Sequence, residues 1–188
     1  GGFRDCIPRP GGGWLLADRG DHIHMFNRDG RGIRRLRPGR IRKLIGWLDR
    51  EHLITMDDDG HLRCLRLFGE NSQRIIEGRR WSWASRMSSG RILIQSVEGS
   101  IFEGVPNPFG WDSLEQLVET GVDPLEAVRT GDGWWMLTMD GDLDRIPPAK
   151  NATWPAGESI ASNDADIMAT ATRDGLVRWW ESPRLISK

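Results

Sequence analysis

The 188-residue chain has no tyrosine, only two cysteines, almost no net charge and no long apolar run, and each shortage removes a class of protein. Cys6 and Cys64 stand far apart without Cys-x-x-Cys spacing, which excludes a zinc site built on paired thiolates and argues against a disulfide framework. Two reduced thiols carried on strands are expected instead. No stretch reaches the roughly 18 apolar residues of a membrane span. Gly1-Gly2-Phe3 offers neither the basic nor the apolar part of a signal peptide, so the expectation is a cytoplasmic protein with no membrane partner. A formal net charge of −1 gives no global pull toward nucleic acid or anionic lipid. Catalytic motifs are missing as well: there is no Gly-x-Ser-x-Gly, no P-loop, no Gly-x-Gly-x-x-Gly after a strand and no His-Glu-x-x-His. No cofactor or metal is expected, and the chain does not read as an enzyme.

Glycine is in excess, with 23 residues, and its placement is regular. Five segments share one layout, an apolar strand, a polar turn closing in glycine, and a second strand. They are Trp14–Gly20, Leu53–Gly60, Ile92–Gly99, Trp135–Gly141 and Ile167–Gly175, and their turn glycines lie 40, 39, 42 and 34 residues apart. Asp-Gly between apolar runs predicts a tight hairpin, because a two-residue primed turn needs positive φ. Further apolar runs bracket each hairpin, giving about four short strands per repeat. The first strand of the hairpin is apolar on both faces, as in Ile92-Leu93-Ile94, so it must lie inside a stack of sheets. Four-stranded sheets recurring near 40 residues describe an all-β β-propeller of about five blades. The predicted blades are 1–39, 40–78, 79–121, 122–157 and 158–188 of a single domain, the last closing on a strand over 184–187.

One stretch departs from that pattern. Ser113 and Gln116 make a capping box, Leu114, Leu117 and Val118 share a helical face, and Gly121 stands at the stop, which predicts a short helix over 113–120.

The fifth repeat, Ala171-Thr172-Arg173-Asp174-Gly175-Leu176-Val177-Arg178-Trp179-Trp180-Glu181, resembles the end of a WD repeat, where an Asp-Gly turn leads into an apolar strand closing in Trp-Asp. The chain departs from that family in lacking the Gly-His dipeptide that opens a blade, and in having Trp180-Glu181 where Trp-Asp would stand. Its lean, divergent blades also resemble the small propeller partners of bacterial AAA-ATPase and von Willebrand A-domain systems. What the resemblance implies is a rigid, non-catalytic scaffold that presents a face to a protein partner in a larger complex.

The neutral total hides two opposite halves. Residues 1–91 carry 19 Lys+Arg against 11 Asp+Glu, a charge of +8, and residues 92–188 carry 7 against 16, a charge of −9. Such polarity permits head-to-tail self-association. The basic half is densest at Arg31, Arg34, Arg35, Arg37, Arg40, Arg42 and Lys43. That run reads either as a docking stripe for an acidic protein or phosphates, or as a solvated outer strand. Nucleic acid ranks last, because no aromatic is interleaved to stack a base. The hairpin-turn rim collects Asp18, Arg19, Asp57, Asp59, Glu98, Asp140, Asp142, Arg173 and Asp174, a mostly acidic surface suited to a basic or polar partner, although turn chemistry alone explains the Asp-Gly positions. His22 and His24 leave one strand face and could pair on a metal, yet no third ligand is fixed, so a hydrogen-bonding role is favoured. Ten tryptophans open a glycan-binding alternative. Most fall in strands, where they fill wedges between blades, whereas Trp47, Trp111 and Trp154 sit nearer loops and are the candidates for exposed contact. A hydrolase built on a carboxylate pair is the third reading.

Overall fold

The computed structural model describes residues 2–68, 73–119, 123–131, 133–146, 154–155, 158–162, 167–173 and 175–181. Sheet 1 runs β1 (Phe3–Pro8), β2 (Trp14–Asp18), β3 (Ile23–Phe26) and β4 (Gly32–Leu36). Sheet 2 runs β5 (Ile41–Trp47), β6 (His52–Asp57), β7 (Leu62–Arg66) and β8 (Gln73–Ile75). Sheet 3 runs β9 (Trp81–Ala84), β10 (Ile92–Ser96), β11 (Ser100–Asn107) and β12 (Gly110–Glu119). Sheet 4 runs β13 (Pro124–Thr130), β14 (Gly133–Thr138), β15 (Asp142–Ile146) and β16 (Trp154–Pro155). Sheet 5 holds β17 (Ser159–Ser162), β18 (Ile167–Ala171) and β19 (Val177–Glu181). Each sheet is an antiparallel meander of consecutive strands, and β1 lies beside β5 and β13 beside β17, so the first strand of each sheet faces the shared axis. The chain is an all-β β-propeller. The described residues make four complete four-stranded blades, rather than the five blades expected from the repeats. The fifth unit shows three strands among the described residues, and the strand expected over 184–187 lies outside them.

Burial explains the apolar runs. Alternate residues of each second strand face opposite neighbours, and every gap between consecutive sheets is filled by one cluster. Leu15, Ala17, Ile23 and Met25 of sheet 1 meet Leu44, Leu53 and Leu65 of sheet 2. Ile54, Met56 and Leu62 of sheet 2 meet Trp81, Ile92 and Ile94 of sheet 3. Leu93 and Ile101 meet Ala127, Trp134 and Met136, and Trp135, Leu137 and Leu143 meet Ile160 and Met168. A fully buried Leu or Ile contributes about 2 kcal/mol over an exposed one, so these layers hold the stack together. Side chains that reach backbone carbonyls of the next sheet add direction. Arg34 Nη1 donates to Leu67 O at 2.7 Å, Lys43 Nζ to Ala84 O at 2.7 Å, and the Trp83 indole N–H to Leu125 O at 3.2 Å.

The expected helix over 113–120 is a strand. β12 pairs with β11 along its whole length, from Ser100↔Glu119 to Asn107↔Gly110. A bulge between Ile101 and Phe102 inserts one residue and shifts the alternation, which sends Leu114 to the cluster with sheet 2 and Leu117 and Val118 to the cluster with sheet 4. An interrupted period of two therefore imitates a helical face. Helix formation would also leave the outer edge of β11 unpaired.

The hairpin turns differ from expectation too. In sheets 2 to 5 the backbone N–H of Gly60, Gly99, Gly141 and Gly175 donates to the carbonyl three residues back, at 3.0–3.1 Å. Among the described residues of these turns positive φ falls on that glycine alone, so they are type I turns closed by a left-handed glycine rather than two-residue primed turns. Sheet 1 departs again. Its left-handed residue is Asp21 (φ 68), not Gly20, a position that Asp tolerates better than most side chains.

Candidate functional site

In an antiparallel meander the turns between second and third strands all leave by one end of the stack, together with the links between sheets. At that end the five turns can be laid on one another. The residue that opens each turn is Asp18, Asp57, Ser96 or Thr138, the last of its second strand, or Thr172, one past the end of β18, and the next position is Arg19, Asp58, Val97, Met139 or Arg173. Asp57 shows how the turn is held. Its Oδ1 accepts the backbone N–H of Asp59 at 3.0 Å and of His61 at 2.8 Å, and its Oδ2 accepts from Arg63 Nε at 2.7 Å. Asp18 repeats this with the N–H groups of Gly20 and His22, and with His24 Nε2 at 2.7 Å. Thr138 does it with a hydroxyl, accepting the N–H of Asp142 at 3.1 Å.

The electrostatics follow the bonds. The His24 side-chain bond, helped by the His22 N–H, holds the Asp18 carboxyl well below the usual carboxylate range. Burial works against ionisation at Asp57, but the Arg63 bond and the His61 N–H outweigh it, and that carboxyl is also lowered. Lys43, near the axis, is lowered to about 8 by burial first and by the charge of Arg86 second. Its ammonium sits 5.2 Å over the Trp83 ring.

What the turns leave free is the outward tip. Val97 and Met139, at equivalent positions of adjacent blades, are 62% and 64% exposed, and each is followed by an exposed carboxylate, Glu98 or Asp140. Asp142 and Asp59 are exposed on the same rim, as is Arg173, whose Nε lies 3.8 Å from Glu158. Asp174 lies outside the described residues. Asp57, Asp59 and His61 bring ligand atoms within 4.8 Å of one another, and Arg63 occupies the Asp57 Oδ2, which makes this a braced turn.

The basic run does not form one stripe. Arg34, Arg42 and Lys43 turn inward or sideways onto carbonyls of the next sheet, Leu67, Ser82 and Ala84. Arg31, Arg35, Arg37 and Arg40 remain exposed. Arg35 meets His22 Nδ1 at 3.2 Å, and Arg40 borders the Asp57–Asp59 turn beside Arg63.

The tryptophans are largely committed to structure. Trp81, Trp134 and Trp135 are buried. Trp47, a candidate for exposed contact, is half-buried and donates to Pro8 O at 2.8 Å; Trp111 packs on Gly104 and Trp81 and donates to Glu77 at 2.8 Å. The backbone of Trp154 lies in β16, and its side chain is outside the described residues. At the opposite end of the stack a cleft of about 460 Å³ lies among Pro8, Trp47, Arg86 and Met87. Its guanidinium is already bonded to Leu44 O, Asp5 and Cys6 O. Sequence reading missed Val97 and Met139. Superposing the five turns, position by position, is the signal that finds them.

The fold and rim together define a propeller whose sheets are joined by buried apolar layers and whose turns are braced by hydrogen bonds. No family profile matches the chain, and no curated protein matches it by sequence. Solved structures do. Two crystal structures of BBS1N in complex with ARL6DN, one soaked with mercury and one with lead, superimpose with a TM-score of 0.64 at 14% identity. They cover 96% and 97% of this chain, whereas the chain spans 65% and 67% of theirs. At that identity the likeness is one of fold.

Proposed function

We propose that this chain is a non-catalytic, WD-like interaction propeller that presents its turn rim to a protein partner as a subunit of a larger complex. The observation that carries the reading is the pair of apolar tips, Val97 and Met139, held outward at equivalent places on adjacent blades and flanked by Glu98, Asp140 and Asp142. A contact surface fixed by stacked sheets loses little conformational freedom on binding. The chemistry suits a partner with an apolar patch edged by basic side chains. The BBS1N chain, which shares the fold, is itself held in a complex with ARL6DN, and this supports a protein-binding role. Free Cys6 and Cys64 fit a reducing, cytoplasmic compartment.

The test compares the native chain with a Val97→Lys/Met139→Lys double variant as baits at low and high salt. The native chain should retain a protein in a salt-sensitive manner, and the double variant should lose it while melting at the same temperature. No protein retained by the native bait at any salt, or an identical set retained by both, would overturn the proposal.

A further inference from the structure

The first and last sheets of the stack differ from the inner ones in what covers them. On the side that faces the preceding sheet, the second and third strands of sheets 2 to 4 present one registered pair, Leu53↔Leu65, Ile92↔Gly104 and Trp134↔Ile146; Trp14↔Phe26 is the same pair in sheet 1, and Met168 takes the same place on the second strand of sheet 5. The second-strand residues at this place in sheets 2 to 5 are buried to 2% exposure or less, whereas Trp14 is 52% exposed. The same accounting holds at the other end. Ile23, Leu62, Ile101 and Leu143, which face the following sheet, are fully buried, and the equivalent Val177 is 51% exposed. Among the described residues, no apolar cluster joins sheet 5 to sheet 1.

The open face of sheet 1 is built as an interface. Cys6, Trp14, Leu16 and Phe26 hold the register positions that Ala127, Trp134, Met136 and Ile146 hold in sheet 4. Those four sheet 4 residues pack on Leu93 and Ile101 of sheet 3, and the Trp134 indole N–H donates to Glu103 of that sheet at 2.5 Å. Phe3 and Ile33 enlarge the apolar area on sheet 1, both more than half exposed. A stripe of this size on a twisted sheet is normally covered.

We infer that the open face of sheet 1 is a blade-to-blade interface. Its occupant is a further antiparallel sheet of the sheet 3 type, offering an apolar face and an acceptor for the Trp14 indole N–H. Continuity with the four interfaces already present argues for a sheet. Ring geometry argues against a second copy of this chain. Five sheets match 65% of the BBS1N chain, and the remaining third has room for about two or three more sheets, not another five.

The test is a tandem chain carrying a second copy of residues 79–119 ahead of Phe3, compared with the 188-residue chain. Hydrogen exchange at Trp14–Asp18 and Ile23–Phe26 should slow about tenfold or more in the tandem, and Leu93→Asp in the added copy should abolish the slowing. Both chains should be monomeric by light scattering. A folded tandem with unchanged exchange overturns the proposal. So does a 188-residue chain that dimerises through a contact dispersed by Trp14→Glu, since a second copy is then the occupant. A tandem that fails to fold leaves a decision in the 188-residue chain. There Trp14→Ser should shift the Tm by less than about 2 °C and lower binding of an apolar dye at least twofold, whereas Leu53→Ser at the same register should unfold much of the protein. Equal damage from the two substitutions would mean that Trp14 is already covered, and the inference fails.

Discussion

The turns of sheets 1 and 2 and those of sheets 4 and 5 hold the strands at the same rim by two different chemistries. In the first pair a carboxylate, Asp18 or Asp57, gathers two backbone N–H groups and a basic side chain six residues on. In the second pair a threonine does the work, Thr138 accepting the N–H of Asp142 and Thr172 donating to Leu176 O at 3.3 Å. Sheet 3 uses neither: Ser96 stands in the same place with its hydroxyl buried and unpartnered, and the turn is closed by the Gly99 backbone bond alone. The difference teaches that in sheets 2 to 5 the fold asks only for the backbone bond of the turn glycine, and that a side-chain brace at the end of the second strand is added to it. Charge is an added feature of the first half, and it makes that half sensitive to pH.

The largest effect expected is on the glycine that closes the turn. Gly60 (φ +85) would place a Cβ 2.5 Å from the Trp81 carbonyl, whereas Gly175 (φ +86) meets nothing within 4 Å. Gly60→Ala should therefore cost about 3 kcal/mol or more, and Gly175→Ala only the backbone strain of about 1 kcal/mol, measured by urea unfolding. Similar losses would mean that the two turns are equally open.

Next in size is Asp57→Asn. It removes a charge-assisted bond and sets an amide donor against Arg63, for a loss of about 2 kcal/mol. Thr138→Val removes one neutral bond and should cost about 1 kcal/mol. If the hydroxyl proves the costlier loss, the ranking of the two chemistries is wrong.

The pH profile sharpens the same contrast. Asp18 and Asp57 are lowered in the folded chain, so the unfolded chain binds more protons at acid pH. Their contribution is complete above the ordinary carboxylate value of about 4 and is lost as pH falls toward the folded values. Unfolding midpoints taken from pH 6 to pH 2 should fall, and Asp57→Asn should flatten that slope. Thr138→Val should leave the slope unchanged. A slope that Asp57→Asn does not alter would place the acid sensitivity elsewhere. The smallest effect belongs to the rim tip: Met139→Lys should change stability by no more than about 0.5 kcal/mol in guanidine titrations, because its side chain is solvated.

Much of this architecture could be read from local pattern. Apolar runs such as Ile92-Leu93-Ile94, closed by a glycine turn, demand strands buried on both faces, and their recurrence demands a stack. What was lost is what depends on register. Leu114, Leu117 and Val118 took a helical spacing because a bulge, set by pairing with β11, adds one residue to the strand. The basic run looked continuous because a sequence does not show that adjacent strand residues leave by opposite faces. Arg34 bonds to Leu67 O, and its neighbour Arg35 points away beside His22. Val97 and Met139 carry no motif, and their exposure comes from a turn position that only comparison among the five repeats reveals.

Every described sheet is made of strands that follow one another directly in the chain, and none borrows a strand from a distant segment. Contacts therefore stay short in sequence, and each sheet can form as soon as its own residues are available, then serve as a template for the one after it. Loosening should travel the reverse way. The fifth sheet, joined to one neighbour, peels first, and the first three sheets, which Arg86 ties together through Leu44, Asp5 and Cys6, are the last to let go.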